Sequence, residues 1–174
     1  MAGAALRFDI QGLVQTREQL DRLMRFDRRE LLQGLAQLGE MQTKRRISDE
    51  KEAPDGSAWP AWSDSYAAQR PAGKSPLEDS GGLYESITGE ADDSAATWGS
   101  NKEYARIHQE GGTTSPHTIR ADQAKALNIP GVGYRRSVKH PGSKIPARPY
   151  LGISDANRDE IEAEVRAFFE DLLQ

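Results

Sequence analysis

Leu20-Asp21-Arg22-Leu23-Met24-Arg25-Phe26-Asp27-Arg28-Arg29-Glu30-Leu31-Leu32-Gln33-Gly34-Leu35-Ala36-Gln37-Leu38-Gly39-Glu40-Met41 is the stretch on which the fold class turns. Leu20, Leu23 and Met24, then Leu31, Leu35, Leu38 and Met41, recur in steps of three and four. Such steps place side chains on one stripe of an α-helix. Leu13 extends the stripe backwards, and no proline interrupts the chain from about Thr16 to Ile47. A break falls near Phe26. Asp27 is placed to cap a second helix, with Glu30 three residues on as its capping-box partner. The stretch reads as one short and one long helix, or as a single kinked one, with the apolar stripe in a core.

Working outward, Leu6, Phe8 and Ile10 alternate with Arg7 and Asp9, the period of a short strand that Gly12 ends. Ile87 to Ala91 and Ala95 to Gly99 read as a hairpin around Asp92-Asp93-Ser94, with Trp98 in its second strand. Lys102 to Gln109 reads as a short helix stopped by Gly111-Gly112, with Tyr104, Ile107 and His108 as packing residues. Further on, Thr118-Ile119-Arg120 and Ala126-Leu127-Asn128-Ile129 suggest a second pair of strands. Ser154 is a good N-cap for a last helix, whose stripe is Ile161, Val165, Phe168, Phe169, Leu172 and Leu173. The class is therefore α+β: N-terminal helices and a C-terminal helix packed on a small, mostly antiparallel sheet, in a single domain spanning 1–174.

Between these elements the chain is rich in turns. Pro54-Asp55-Gly56 has a turn mechanism, since Pro fixes φ, Asp bonds locally and Gly tolerates positive φ. Trp59 and Trp62 stand beside it, and burying two such large side chains pins the loop to the body. Ser63 is placed to cap a short helix through Tyr66 to Gln69. Residues 113–149 are polar, basic and rich in Gly and Pro, and read as an extended arm or loop. A compact domain rarely keeps so long a loop without a use.

Only 36% of the chain is hydrophobic against 29% charged, a modest apolar share for a globular domain. That suits a thin body with long polar loops, or a subunit that completes its burial against neighbours. The net charge of -4 conceals an asymmetry. Arg120, Lys125, Arg135, Arg136, Lys139, Lys144 and Arg148 face a lone Asp122 in the arm. The last segment reverses the sign, with Asp155, Asp159, Glu160, Glu162, Glu164, Glu170 and Asp171 against Arg158 and Arg166. Opposite patches of this kind pair within a chain, pair between identical copies, or stay solvated.

Little supports catalysis. There is no cysteine, which excludes disulfides, thiolate metal ligands and a cysteine nucleophile. His108, His117 and His140 fall in different loops without ligand spacing, so no metal or other cofactor is expected. No Gly-x-Ser-x-Gly elbow and no phosphate loop occur, and Asp92-Asp93 reads as a solvated turn. Neither a membrane span nor a signal peptide is expected.

Five segments in order then carry a resemblance. They are Lys44-Arg45-Arg46-Ile47; Pro54-Asp55-Gly56 with Trp59 and Ser63-x-x-Tyr66; and Leu77-x-x-Ser80-Gly81-x-Leu83-x-x-Ser86-Ile87. Gly99-Ser100-x-x-x-Tyr104-Ala105-x-Ile107-His108-Gln109-x-Gly111-Gly112 follows, and Ile145-Pro146-Ala147-Arg148-Pro149-Tyr150-Leu151-Gly152-Ile153-Ser154 closes the set. From about Ile47 to the C-terminus the chain resembles the phage virion morphogenesis family, the group of Mu-type G and P2-type tail completion proteins, related to siphophage neck and tail-completion proteins. The basic stretch between Gly112 and Ile145 departs from that pattern.

The resemblance implies a structural virion protein without catalysis or cofactor. It implies a ring, hexameric like the tail, acting as tail terminator, tail completion or head-tail joining factor. The partners would be further copies of the chain, the tail tube and neck or connector proteins. The place would be the virion's tail or neck, after assembly in the host cytoplasm. The candidate contact residues are Arg135, Arg136, Lys139, His140, Lys144, Arg148, Tyr150, Trp59 and Trp62. Arg148 could fork onto a carboxylate, or be a surface arginine beside a buried strand. An alternative function is contact of the basic arm with passing DNA.

Overall fold

The computed structural model describes residues 11–68, 70, 74–122, 125–129 and 132–174. The strand expected at Leu6 to Ile10 lies outside them. The chain divides into two compact units. Met1–Gln42, Ile87–Gly99 and Ile153–Gln174 form the first, and Thr43–Ser86 with Ser100–Gly152 form the second.

Two helices open the first unit, α1 (Gln11–Arg25) and α2 (Arg28–Arg45), whose last residues belong to the second. The break falls where expected. Asp27 Oδ1 accepts from the backbone N–H of Arg29 at 2.9 Å and of Glu30 at 3.4 Å. Glu30 thus serves the cap through its backbone. The hairpin of β1 (Ile87–Ala91) and β2 (Ala96–Ser100) is closed by Asp92, whose carboxylate takes Ser94 N, Ser94 Oγ and Ala95 N. These bonds hold the Asp92 carboxyl below its usual range, as in an Asx turn rather than an acid/base pair.

The buried face of α2 differs from the expected leucine stripe. Ala36, Gly39, Gln42, Thr43 and Arg46 are buried, while Leu31, Leu35 and Leu38 are half-buried and Met41 is 53% exposed. Close approach explains the choice. A side chain at Gly39 would run into the Trp98 ring, and one at Gly89 into the Ala36 carbonyl. Only small residues let hairpin and helix come so near. Glu40 ties the two by accepting from Gly89 N at 2.8 Å.

The last helix, α6 (Asp155–Leu172), starts at Ser154 with a reciprocal capping box in which Asn157 takes the role usual for Glu or Gln. Gln42 Nε2 donates to Asn157 O and to Glu160 Oε2, and Phe26 meets Phe168 and Phe169 edge-on. Even so, the α6 stripe is only half-buried throughout, and Leu20 and Met24 of α1 are exposed.

In the second unit, α2 widens into a π-helical turn, Arg46–Glu50, that ends at a left-handed Lys51. Short helices follow: α3 (Asp64–Ala67), α4 (Gly82–Glu85) and α5 (Ala105–Glu110). Within α5 the buried packing residue is Ala105; Tyr104 is exposed at the N-cap, its ring edge-on to His108. The sheets are small and antiparallel, as expected of an α+β protein. Among the described residues they are separate two-stranded ladders rather than one sheet. No described helix is long and apolar enough to cross a membrane.

Gly39→Ala is expected to lower stability by about 1–3 kcal/mol, as overpacking of a tight contact does. Urea denaturation followed by circular dichroism measures this. A change within about 0.5 kcal/mol, the range of an ordinary surface substitution, would mean that Trp98 does not seat on Gly39.

Candidate functional site: a cationic arm and its anchor

The arm is a nested hairpin. At its base β3 (Gly112–Thr113) pairs with β8 (Lys144–Ile145). Next, β4 (His117–Arg120) pairs with β7 (Ser137–His140), and at the far end β5 (Leu127–Ile129) pairs with β6 (Gly133–Arg135). The two strands expected here both exist, yet they do not pair with each other. Each finds its partner in the Gly133-to-His140 segment, which shows no clear alternation of apolar residues.

In the register of β4 and β7, His117 faces His140, Thr118 faces Lys139, Ile119 faces Val138 and Arg120 faces Ser137. His117 and His140, far apart in sequence, therefore stack with ring centroids 5.1 Å apart. Gly142 N donates to His140 Nδ1 at 3.1 Å. No described group of three or more His, Asp or Glu converges as a metal site.

Arg120, Lys125, Arg135, Arg136, Lys139 and Lys144 are all exposed, and none has an ion pair among the described residues. Arg135 Nη1 donates only to the neighbouring Tyr134 carbonyl. Tyr134, at 72% exposure, with Val132 and Ile119, leaves apolar surface beside those charges. A two-stranded ribbon of this kind has little stability of its own.

The anchor is as firm as the arm is thin. Pro146 and Pro149 stiffen residues 146–152 and lack N–H groups, so this strap forms no regular ladder. Its backbone is met by side chains instead. Trp59 Nε1 donates to Pro149 O at 2.9 Å, and Arg46 Nη1 donates to Tyr150 O and Gly152 O at 3.2 and 2.9 Å. Gln109 does three jobs. Its Oε1 accepts from Tyr150 N and Leu151 N, both at 2.9 Å, and its Nε2 donates to Leu151 O at 3.0 Å. Arg148 N donates to His108 O at 2.7 Å.

The candidate residues thus fall into two sets. Arg135, Arg136, Lys139 and Lys144 are exposed on the arm, with His140 half-buried there. Trp59 and Tyr150 lie inside the second unit, Tyr150 at 1% exposure, and hold the strap. Trp62 is half-buried beside Tyr66 and Arg70. Arg148 is no surface arginine. It is 5% exposed, and its Nε and Nη2 donate to Pro60 O and Ala61 O at 2.8 and 3.1 Å, with no carboxylate paired to it among the described residues. Sequence reasoning placed Gln109 in a motif without a role, and Arg46 only as a helix end. Polar side chains beside a proline-rich strap were the available signal.

The sequence pattern of the phage virion morphogenesis family matches residues 9–170. The chain belongs to that family. It is also 31% identical, over 128 residues, to the putative capsid assembly protein G of Escherichia phage Mu. The match covers 71% of this chain and 68% of the Mu protein. No solved structure gives a significant match.

Gln109→Ala removes three strap hydrogen bonds at once and is expected to destabilise the protein by about 2–4 kcal/mol, on roughly 1 kcal/mol per bond and the desolvation of orphaned groups. A loss below 1 kcal/mol in chemical denaturation would contradict the clamp. A pH effect follows from His108. Burial, and then the Arg148 guanidinium, hold its imidazole below the ordinary 6.5. Below that pH the unfolded chain binds more protons than the folded one, so stability is present above 6.5 and is lost as pH falls toward the depressed folded value. Melting temperature should drop as pH is lowered through this range, and His108→Gln should flatten the drop.

Proposed function

We propose that this virion morphogenesis protein is a non-enzymatic structural subunit that completes the tail and its junction with the head, as a ring, hexameric to match the tail, at the tail end or neck. The observation that carries this reading is the arm: six exposed cations without ion pairs among the described residues, on a ribbon too thin to stand alone, rooted in a strap whose carbonyls from Pro149 to Gly152 are all held by side chains. A subunit built this way stabilises its arm on neighbours, whether further copies, the tail tube or a connector protein. In a ring such contacts are head-to-tail. The exposed acids of α6, Asp159, Glu162, Glu170 and Asp171, offer the next copy's arm a partner of opposite charge.

A second reading is favoured by the same excess of charge: contact of the arm with DNA passing through the neck. Phosphate contacts of that kind weaken steeply with salt. Random-sequence DNA should then be retarded at low salt and released at high salt, and unchanged migration at low salt would remove this reading.

Arg135→Glu with Arg136→Glu is expected to abolish the ring and head-tail joining while leaving circular dichroism and melting temperature unchanged. Light scattering after size exclusion, negative stain, and rescue of tails lacking the protein provide the measurements. Normal rings from the double variant would rule out the arm-to-helix contact.

A further inference from the structure

The second unit carries an open groove of about 860 Å³ that the arm reading leaves unused. Trp62, Tyr66, Leu77, Leu83, Tyr104 and Ile145 give it apolar and aromatic walls. Arg148 lines it as well. Two of the three guanidinium nitrogens are held by Pro60 O and Ala61 O; Nη1 has no partner among the described residues. A cation that is 5% exposed, has no carboxylate among the described residues and borders an open groove is short of a counter-charge. Burial accordingly depresses the Arg148 pKa.

The other charged groups point the same way. Lys144, exposed at the groove, forms no ion pair among the described residues. Asp79, the acid in the lining, is already bonded to Arg70, whose guanidinium also stacks over the Tyr66 ring at 4.3 Å. His108 Nδ1 is buried in the same lining without a hydrogen-bond partner among the described residues. The groove is thus apolar along its walls and locally positive at Arg148 and Lys144. Two cations are too few to track a nucleic-acid backbone, which needs a run of them. They suit one carboxylate, to which the uncommitted Nη1 of Arg148 can donate.

We propose that this groove binds an extended segment of a partner protein, apolar or aromatic in its side chains and bearing one carboxylate that meets Arg148 and Lys144. Aromatic walls supply the contact area, and the arginine fixes the register of the bound segment. This inference goes beyond the arm reading, because of the arm's exposed cations only Lys144 takes part in it.

The test uses the full chain and fluorescence anisotropy. The probes are labelled hexapeptides of Leu, Val and Phe, each with a single Glu, their Gln counterparts, and a short oligothymidylate. The expected result is saturable binding of the Glu peptides, at least about tenfold tighter than the Gln peptides. Trp62→Ala and Lys144→Glu should each weaken it by about tenfold or more at unchanged circular dichroism, and the Arg135→Glu, Arg136→Glu variant should bind as before. Equal binding of Gln and Glu peptides would overturn the proposal. So would the absence of peptide saturation below about 1 mM, or displacement of bound peptide by the oligothymidylate.

Discussion

A strap stiffened by two prolines cannot hydrogen-bond itself, and buried backbone groups must be satisfied. The second unit is organised around that constraint. The carbonyls of Pro149, Tyr150, Leu151 and Gly152 take donors from Trp59, Arg46, Gln109 and Arg46 in turn. The N–H groups of Arg148, Tyr150 and Leu151 are received by His108 O and Gln109 Oε1. Arg46 has no exposure, and burial lowers its pKa against the support of Glu50, whose carboxylate lies 3.5 Å from Nε. Such a buried cation is tolerable because the strap's carbonyls surround it.

Much else follows from where the strap is held. The base of the arm, β3 with β8, emerges directly before it. Gly111 sits so close to Ala147 that a side chain there would meet backbone, which fixes the arm's exit at the end of α5. Beyond this root the chain invests nothing in a core. The arm's cations and Tyr134 face outward.

The first unit has a related economy of burial. Its tightest contact is made by small residues, Gly39 under Trp98 and Gly89 against Ala36, while Leu20, Leu23 and Met24 of α1 and the apolar stripe of α6 remain half-buried or exposed. The modest apolar share of the chain is visible here as thin packing.

Sequence alone determined the elements that rest on local physics. The break at Asp27, the Asp92 turn, the cap at Ser154, the stop at Gly111-Gly112 and the α+β class are legible because capping and turn chemistry act within a few residues. The family, too, was readable from five ordered segments. Only the tertiary structure decided which face of α2 is buried, that β4 pairs with β7 and β5 with β6, and that His117 meets His140. It also decided that Arg148 and Arg46 are interior, and that Gln109 clamps the strap. Those outcomes depend on partners up to 106 residues apart whose fit is a matter of shape and hydrogen-bond geometry, and neither periodicity nor composition encodes which group will be there.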